Sequence, residues 1–175
     1  MLVEQGLIQV YTGTGKGKTT AALGLAVRAL GQGLRVLLVR FLKAEHPPSG
    51  EILFLANSPG LDILTAGVGG IRQGQDREGL RRSVTETFTE MKRRLAMDSY
   101  DLVVLDEING VLRRDLLELG EFLQFLDKRA PGTELVLTGR DALPEVLERA
   151  HLVTRMDKVK HPLDQGIGAR RGMEY

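Results

Sequence analysis

The chain has 175 residues, enough for one domain with a real core. Apolar residues make up 42% and charged residues 27%, which excludes a disordered chain, and no apolar run reaches membrane-spanning length. A net charge of +1 supplies no bulk field for nucleic acid or lipid, and the absence of cysteine excludes disulfides and thiolate metal sites.

Residues Met1–Gly6 have neither a basic region nor an apolar signal core, so no export signal is expected and a cytoplasmic location fits. Leu7-Ile8-Gln9-Val10-Tyr11 reads as a first strand. Gly13-Thr14-Gly15-Lys16-Gly17-Lys18-Thr19-Thr20 follows, and then a helix through Ala21–Arg28. Strand, glycine-rich turn and helix are the context of a phosphate-binding loop. Glycines let successive N–H groups point at anionic oxygens, and the new helix adds its positive dipole end. Lys18 can reach a terminal phosphate, and the Thr19 hydroxyl can ligate magnesium. The usual pattern has its first glycine where Thr12 stands; Gly13 comes one place later.

Leu34–Arg40 predicts a second strand and Leu61–Thr65 a short third. Ala44–Ser49, after the second strand, reads as a loop, and Ala66–Gly74, after the third and with four glycines, as another. Both are expected at carboxyl ends of strands, where open α/β sheets bind ligands. Across Asp76–Asp98, Leu80, Val84, Phe88, Met91 and Leu95 recur at helical spacing. Six basic residues there sit beside five acidic ones, a solvated face rather than a nucleic-acid ridge. Leu102–Leu105 and Glu134–Leu137 are near-continuous apolar runs, as strands covered on both faces show. A helix is expected over Asp115–Lys128, and His151–Met156 as a sixth strand. The alternation predicts a single domain over 1–175: a doubly wound, mostly parallel sheet of about six strands, like that of the P-loop NTPases.

Asp106 and Glu107 end the fourth strand. An acidic residue at the end of a strand beside the phosphate loop holds magnesium or its water. On an extended segment the two carboxylates face opposite ways, so Asp106 is assigned to the metal shell and Glu107 to a ribose, a lysine or a second ligand. Arg140, after Thr138-Gly139 at the end of the fifth strand, is placed to approach the nucleotide phosphates. Arg28 is too far along its helix for such a contact and fits a salt bridge. His46, His151 and His161 have no metal-ligand spacing, and there is no nucleophile–base pair.

With these residues in place, the chain resembles the ATP:corrinoid adenosyltransferases over most of its length. The likeness rests on Thr12–Ala22, where the family also has Thr at the place of the missing glycine, and on Arg28-Ala29, Phe41-Leu42-Lys43, Val103–Glu107 and Thr138-Gly139-Arg140. It continues through Val159-Lys160-His161-Pro162, Gly166-Ile167, Ala169-Arg170 and Gly172–Tyr175, a tail foreign to a generic ATPase. The resemblance implies that reduced cobalt attacks the 5′-carbon of ATP and triphosphate leaves, so no protein side chain acts as nucleophile or base. It implies magnesium, or manganese in its place, as cofactor; ATP and a reduced corrinoid as substrates; an electron-donating reductase or flavoprotein as partner; and a homodimer. Members commonly carry a Phe-x-Trp pair that fills the lower axial side of cobalt. The corresponding stretch here, Gly67–Asp76, lacks both aromatics, leaving Val68 and Ile71 as the apolar residues expected to face the corrinoid. The loop alone leaves two other functions open, a small-molecule kinase and a nucleotide-dependent switch.

Overall fold

The computed structural model describes residues 5–43, 48–66 and 76–173. Six strands form one sheet: β1 (Ile8–Thr12), β2 (Val36–Arg40), β3 (Leu61–Thr65), β4 (Leu102–Asp106), β5 (Glu134–Thr138) and β6 (Leu152–Arg155). Their order is β3-β2-β4-β5-β1-β6, and every pairing is parallel. The helices are α1 (Lys18–Gly31), α2 (Gly50–Leu55), α3 (Arg77–Met97), α4 (Ile108–Leu112), α5 (Leu119–Asp127) and α6 (Pro144–Leu147).

The register explains why the central strands read as unbroken apolar runs. Val39, Leu105, Leu137 and Val10 form one rung and join the core under α3 and α5 with Leu80, Val84, Phe88, Met91 and Phe122. Their neighbours Leu38, Val104 and Val136 point the other way, into the core under α1 with Ala22, Leu23 and Ala26. Alternation at period two therefore buries both faces, and each face demands an apolar side chain. Phe88, Phe122 and Phe125 meet at centroid separations of 5.5–6.1 Å on the first of these faces. β6, at the edge, is exposed along its length.

Helix ends follow local chemistry. The Asp76 carboxylate accepts the Glu78 N–H at 3.0 Å and starts α3 where the periodicity placed it. α5 begins four residues later than expected. Asp115 has a left-handed φ of 52°, which interrupts any helix there, and Glu118 caps the real start by accepting the Glu121 N–H at 2.6 Å. One expectation is corrected: β4 is not the neighbour of the phosphate-loop strand, because β5 lies between them. Parallel pairing still brings the carboxyl ends of all six strands to one edge.

Candidate functional site

At that edge β1 hands over to α1 through the glycine-rich loop. Gly13 has φ 98°, and a Cβ there would lie 2.4 Å from the Met156 backbone oxygen. The glycine is thus needed one place later than the usual pattern has it, and Thr12 instead closes the strand, its Oγ1 accepting the Ala142 N–H at 3.2 Å. Gly17, at φ 118°, precedes α1 as its N-cap, so the loop ends on the free N–H groups of a 14-residue helix. The chain after β6 braces the loop from outside. Met156 O accepts the Gly15 N–H at 2.7 Å, and Thr14 Oγ1 accepts the Lys158 N–H at 3.4 Å.

Lys18 is 8% exposed. Its ammonium donates to Gly13 O at 2.9 Å and Gly15 O at 2.6 Å, folded across the loop. Burial lowers its pKa from the ordinary lysine value; Glu107 opposes that shift, Arg140 adds to it, and Asp106 and Asp141 oppose it.

Behind the loop, Asp106 is 1% exposed. Its Oδ1 accepts from the Thr19 hydroxyl at 2.8 Å and the Thr138 hydroxyl at 2.7 Å. Its Oδ2 is buried with no hydrogen-bond partner; the Lys43 ammonium lies 3.9 Å from it. An orphaned carboxylate oxygen beside a hydroxyl whose hydrogen is already committed is a donor set that fits a hard divalent cation. Among the described residues no group of three or more His, Cys, Asp or Glu forms a metal site. A cation here would take its remaining ligands from phosphate oxygens and water.

The prediction for Glu107 assumed an extended backbone, and the structure corrects it. Glu107 has a left-handed φ of 65° and stands as the N-cap residue of α4. The side chain consequently turns into the same cavity as Lys18, while Asp106 stays behind Thr19. Thr138 holds this turn as well, its Oγ1 accepting the Glu107 N–H at 2.9 Å. Thr138→Val removes one donor from Asp106 and leaves the Glu107 N–H unpaired. It is expected to destabilise the protein by about 1–3 kcal/mol, measured by urea unfolding, and Thr138→Ser to restore most of that. Equal losses for Val and Ser would mean that packing, not the hydroxyl, matters there.

A cavity of about 720 Å³ opens over the loop. Of the residues expected at the nucleotide, Thr14, Gly15, Lys16, Gly17, Lys18, Thr19, Thr20 and Arg140 line it, and Gly13 does not. The carboxyl-terminal tail closes one side through His161, Gly172 and Met173. The Lys16 ammonium donates to Met173 O at 2.9 Å. The exposed ring of Phe54 on α2 borders another side. Val68 and Ile71 lie outside the described residues. Two contacts were not anticipated, Lys43 to Asp106 and Thr138 to Asp106; the sequence marked both residues only as part of the family likeness, with no role attached. A second cavity, about 570 Å³, lies at the amino ends of β4 and β5 against Leu95, Tyr100, Phe125 and Arg129 and contains none of the expected site residues.

Comparison with known proteins follows the same lines. The family described as ATP:corrinoid adenosyltransferase BtuR/CobO/CobP matches residues 4–175. A corrinoid adenosyltransferase of Escherichia coli K12 is 38% identical over 172 residues, 98% of this chain and 87% of its own length. Corrinoid adenosyltransferase CobA of Salmonella typhimurium is 37% identical with the same coverage. Among solved structures, a KaiC-like protein of Pyrococcus horikoshii OT3 has a TM-score of 0.52 at 16% identity, covering 89% of this chain and 75% of its own. That last likeness is one of fold.

Proposed function

This chain belongs to the ATP:corrinoid adenosyltransferase family, and from that premise we propose that the cavity over residues 13–20 is where ATP and the reduced corrinoid meet. The enzyme transfers the adenosyl group of ATP to a corrinoid. The cobalt electron pair attacks C5′, the C5′–O5′ bond breaks as the cobalt–carbon bond forms, and triphosphate departs with the displaced electrons. No proton is moved, so the protein's task is alignment and neutralisation of the leaving group.

In this reading the loop amides and Lys18 hold the triphosphate, with Arg140 contributing from the end of β5. Lys18 already waits over the loop on two carbonyls, which phosphate oxygens would replace. Thr19 and Asp106 hold magnesium, with manganese as a substitute. The cation, when bound, neutralises charge on the triphosphate. Thr19 presents its lone pairs while its hydrogen stays on Asp106 Oδ1. Glu107 faces the same cavity as Lys18 and is suited to a ribose hydroxyl rather than to phosphate. Val68 and Ile71, on the sequence alone, are proposed to face the corrinoid. The family likeness further supports a homodimer, a reductase or flavoprotein that supplies the electron, and a cytoplasmic site of action. Among the described residues no helix is long and apolar enough to cross a membrane.

The observation that carries the proposal is the meeting, in one cavity, of the phosphate loop with the tail that marks the family: Lys18 and Thr19 face His161 and Met173 across it. Product analysis with ATP, magnesium and chemically reduced cobalamin or cobinamide tests it. Adenosylated corrinoid and triphosphate are expected in equal amounts. ADP as the product would instead make the enzyme a phosphoryl transferase, and tight binding without turnover a switch.

A further inference from the structure

The pairing of β2 with β4 runs on past Arg40, the last residue of the strand. Phe41 N–H still donates to Asp106 O at 3.0 Å, one step beyond the last paired residue of the strand. The backbone then turns at Leu42 into a left-handed conformation, φ 54°. For a bulky residue this is a genuine outlier, and such strain persists only where the surroundings impose it. Here they do, because the Leu42 side chain is 8% exposed and packed into the core. The consequence falls on the next residue. Lys43 leaves the turn with its ammonium 3.9 Å from Asp106 Oδ2, the buried oxygen that has no hydrogen-bond partner. The same side chain lines the cavity with Lys18 and Arg140. Two other cations act on Asp106: Lys18, whose ammonium is committed to the Gly13 and Gly15 carbonyls, and Arg40, the Cα partner of Asp106 across β2 and β4. Arg40 is buried, is lowered in pKa first by that burial, and is tied to Ser49 Oγ at 3.3 Å. Arg40 is a fixed counterion, whereas Lys43, at Oδ2 and 34% exposed in its side chain, has room to move.

The geometry points to Lys43 as an exchanging cation. Without nucleotide it neutralises Asp106 Oδ2; when triphosphate and metal enter, it yields that oxygen to the metal's shell and grips the polyphosphate, with Leu42 setting its reach. This rests on the assignment of the cavity to triphosphate and of Asp106 to the metal. A lysine that did only one of these two things would give effects of a single sign. An exchanging cation gives opposite signs. Removing it frees Asp106 for a metal on its own and weakens the grip on a polyphosphate.

The test uses two probes on the full chain: manganese(II) alone, followed by electron paramagnetic resonance, and tripolyphosphate in EDTA, followed by calorimetry. Lys43→Met is expected to bind manganese several-fold more tightly and tripolyphosphate about tenfold more weakly, the size of one charge-assisted contact. Lys43→Arg keeps the charge and should bind tripolyphosphate within about threefold of the parent, which also reports that the fold survives substitution at this position. Unchanged manganese affinity in Lys43→Met overturns the exchange, and unchanged tripolyphosphate affinity overturns the grip. Lys18→Ala serves as the separate control. If it too leaves tripolyphosphate binding untouched, the cavity is not the triphosphate site and the underlying reading fails. If it weakens binding while Lys43→Met does not, only the role of Lys43 is lost.

Discussion

Lys18→Ala should remove nearly all adenosyl transfer while the protein stays folded. The ammonium makes two hydrogen bonds across the loop, at 2.9 and 2.6 Å, and is held at the mouth of a cavity that also contains Arg140. Contacts from a charged donor to phosphate contribute about 2–3 kcal/mol, so the loss alone slows the reaction by roughly 100-fold, and more if the contact strengthens as charge collects on the leaving triphosphate. The fold has little dependence on this side chain. Its two partners are carbonyls of its own loop, and the loop is braced independently by Met156 O on the Gly15 N–H. The kcat/KM for ATP and the thermal midpoint, measured on the same preparation, decide the matter. An unchanged kcat/KM for ATP in the alanine variant would remove the loop lysine from the mechanism.

The loop was legible because its chemistry is local. Glycines, lysine, threonine, strand and helix all fall within a short stretch, and the positive φ at Gly13 is written in the residue itself. The strands were legible for a related reason: β2, β4 and β5 are buried on both faces, so each position reports burial directly. Short helices were not. Ile108–Leu112 is buried on every side, leaving no polar stripe to create a period, and its Asn109-Gly110 reads as a turn. Strand order was also hidden, since nothing in the residues of β5 says that it inserts between β1 and β4. That insertion makes Thr138 a member of the site. It places the threonine one rung past Leu137, beside Asp106, which a neighbouring-strand picture could not supply. For Glu107 the direction away from Asp106 was legible, but the left-handed turn that sets it was not. The tail was recognised only as a likeness, and the structure supplies its physical reason: His161, Gly172 and Met173 line the cavity, and Met173 O receives Lys16.

Asp106→Asn is the sharper test, because an amide keeps the shape while it loses the charge and turns one acceptor into a donor. Oδ1 receives two hydroxyl hydrogens, from Thr19 and Thr138, so the amide oxygen must take that side. The NH₂ then falls where Oδ2 was, facing the Lys43 ammonium. A donor replaces an acceptor beside a cation, and Arg40 on the paired strand loses its neighbouring anion. Lys43 limits the damage to folding, since its side chain is 34% exposed and can return to water. The loss of stability is therefore expected near 1–2 kcal/mol rather than the larger value for a sealed ion pair. A divalent cation has no such alternative. It needs an anionic oxygen behind Thr19, and a neutral amide turned the wrong way offers none. The magnesium concentration for half-maximal activity should rise by about tenfold or more, a shift of at least 1.4 kcal/mol in metal binding, and maximal turnover should fall with it. Magnesium titration of activity beside urea unfolding separates the two effects. A variant that unfolds more easily yet titrates like the parent would leave Asp106 as a buried anchor for Thr19 and Thr138, and the metal would have to be sought on Glu107, the carboxylate that already faces the cavity.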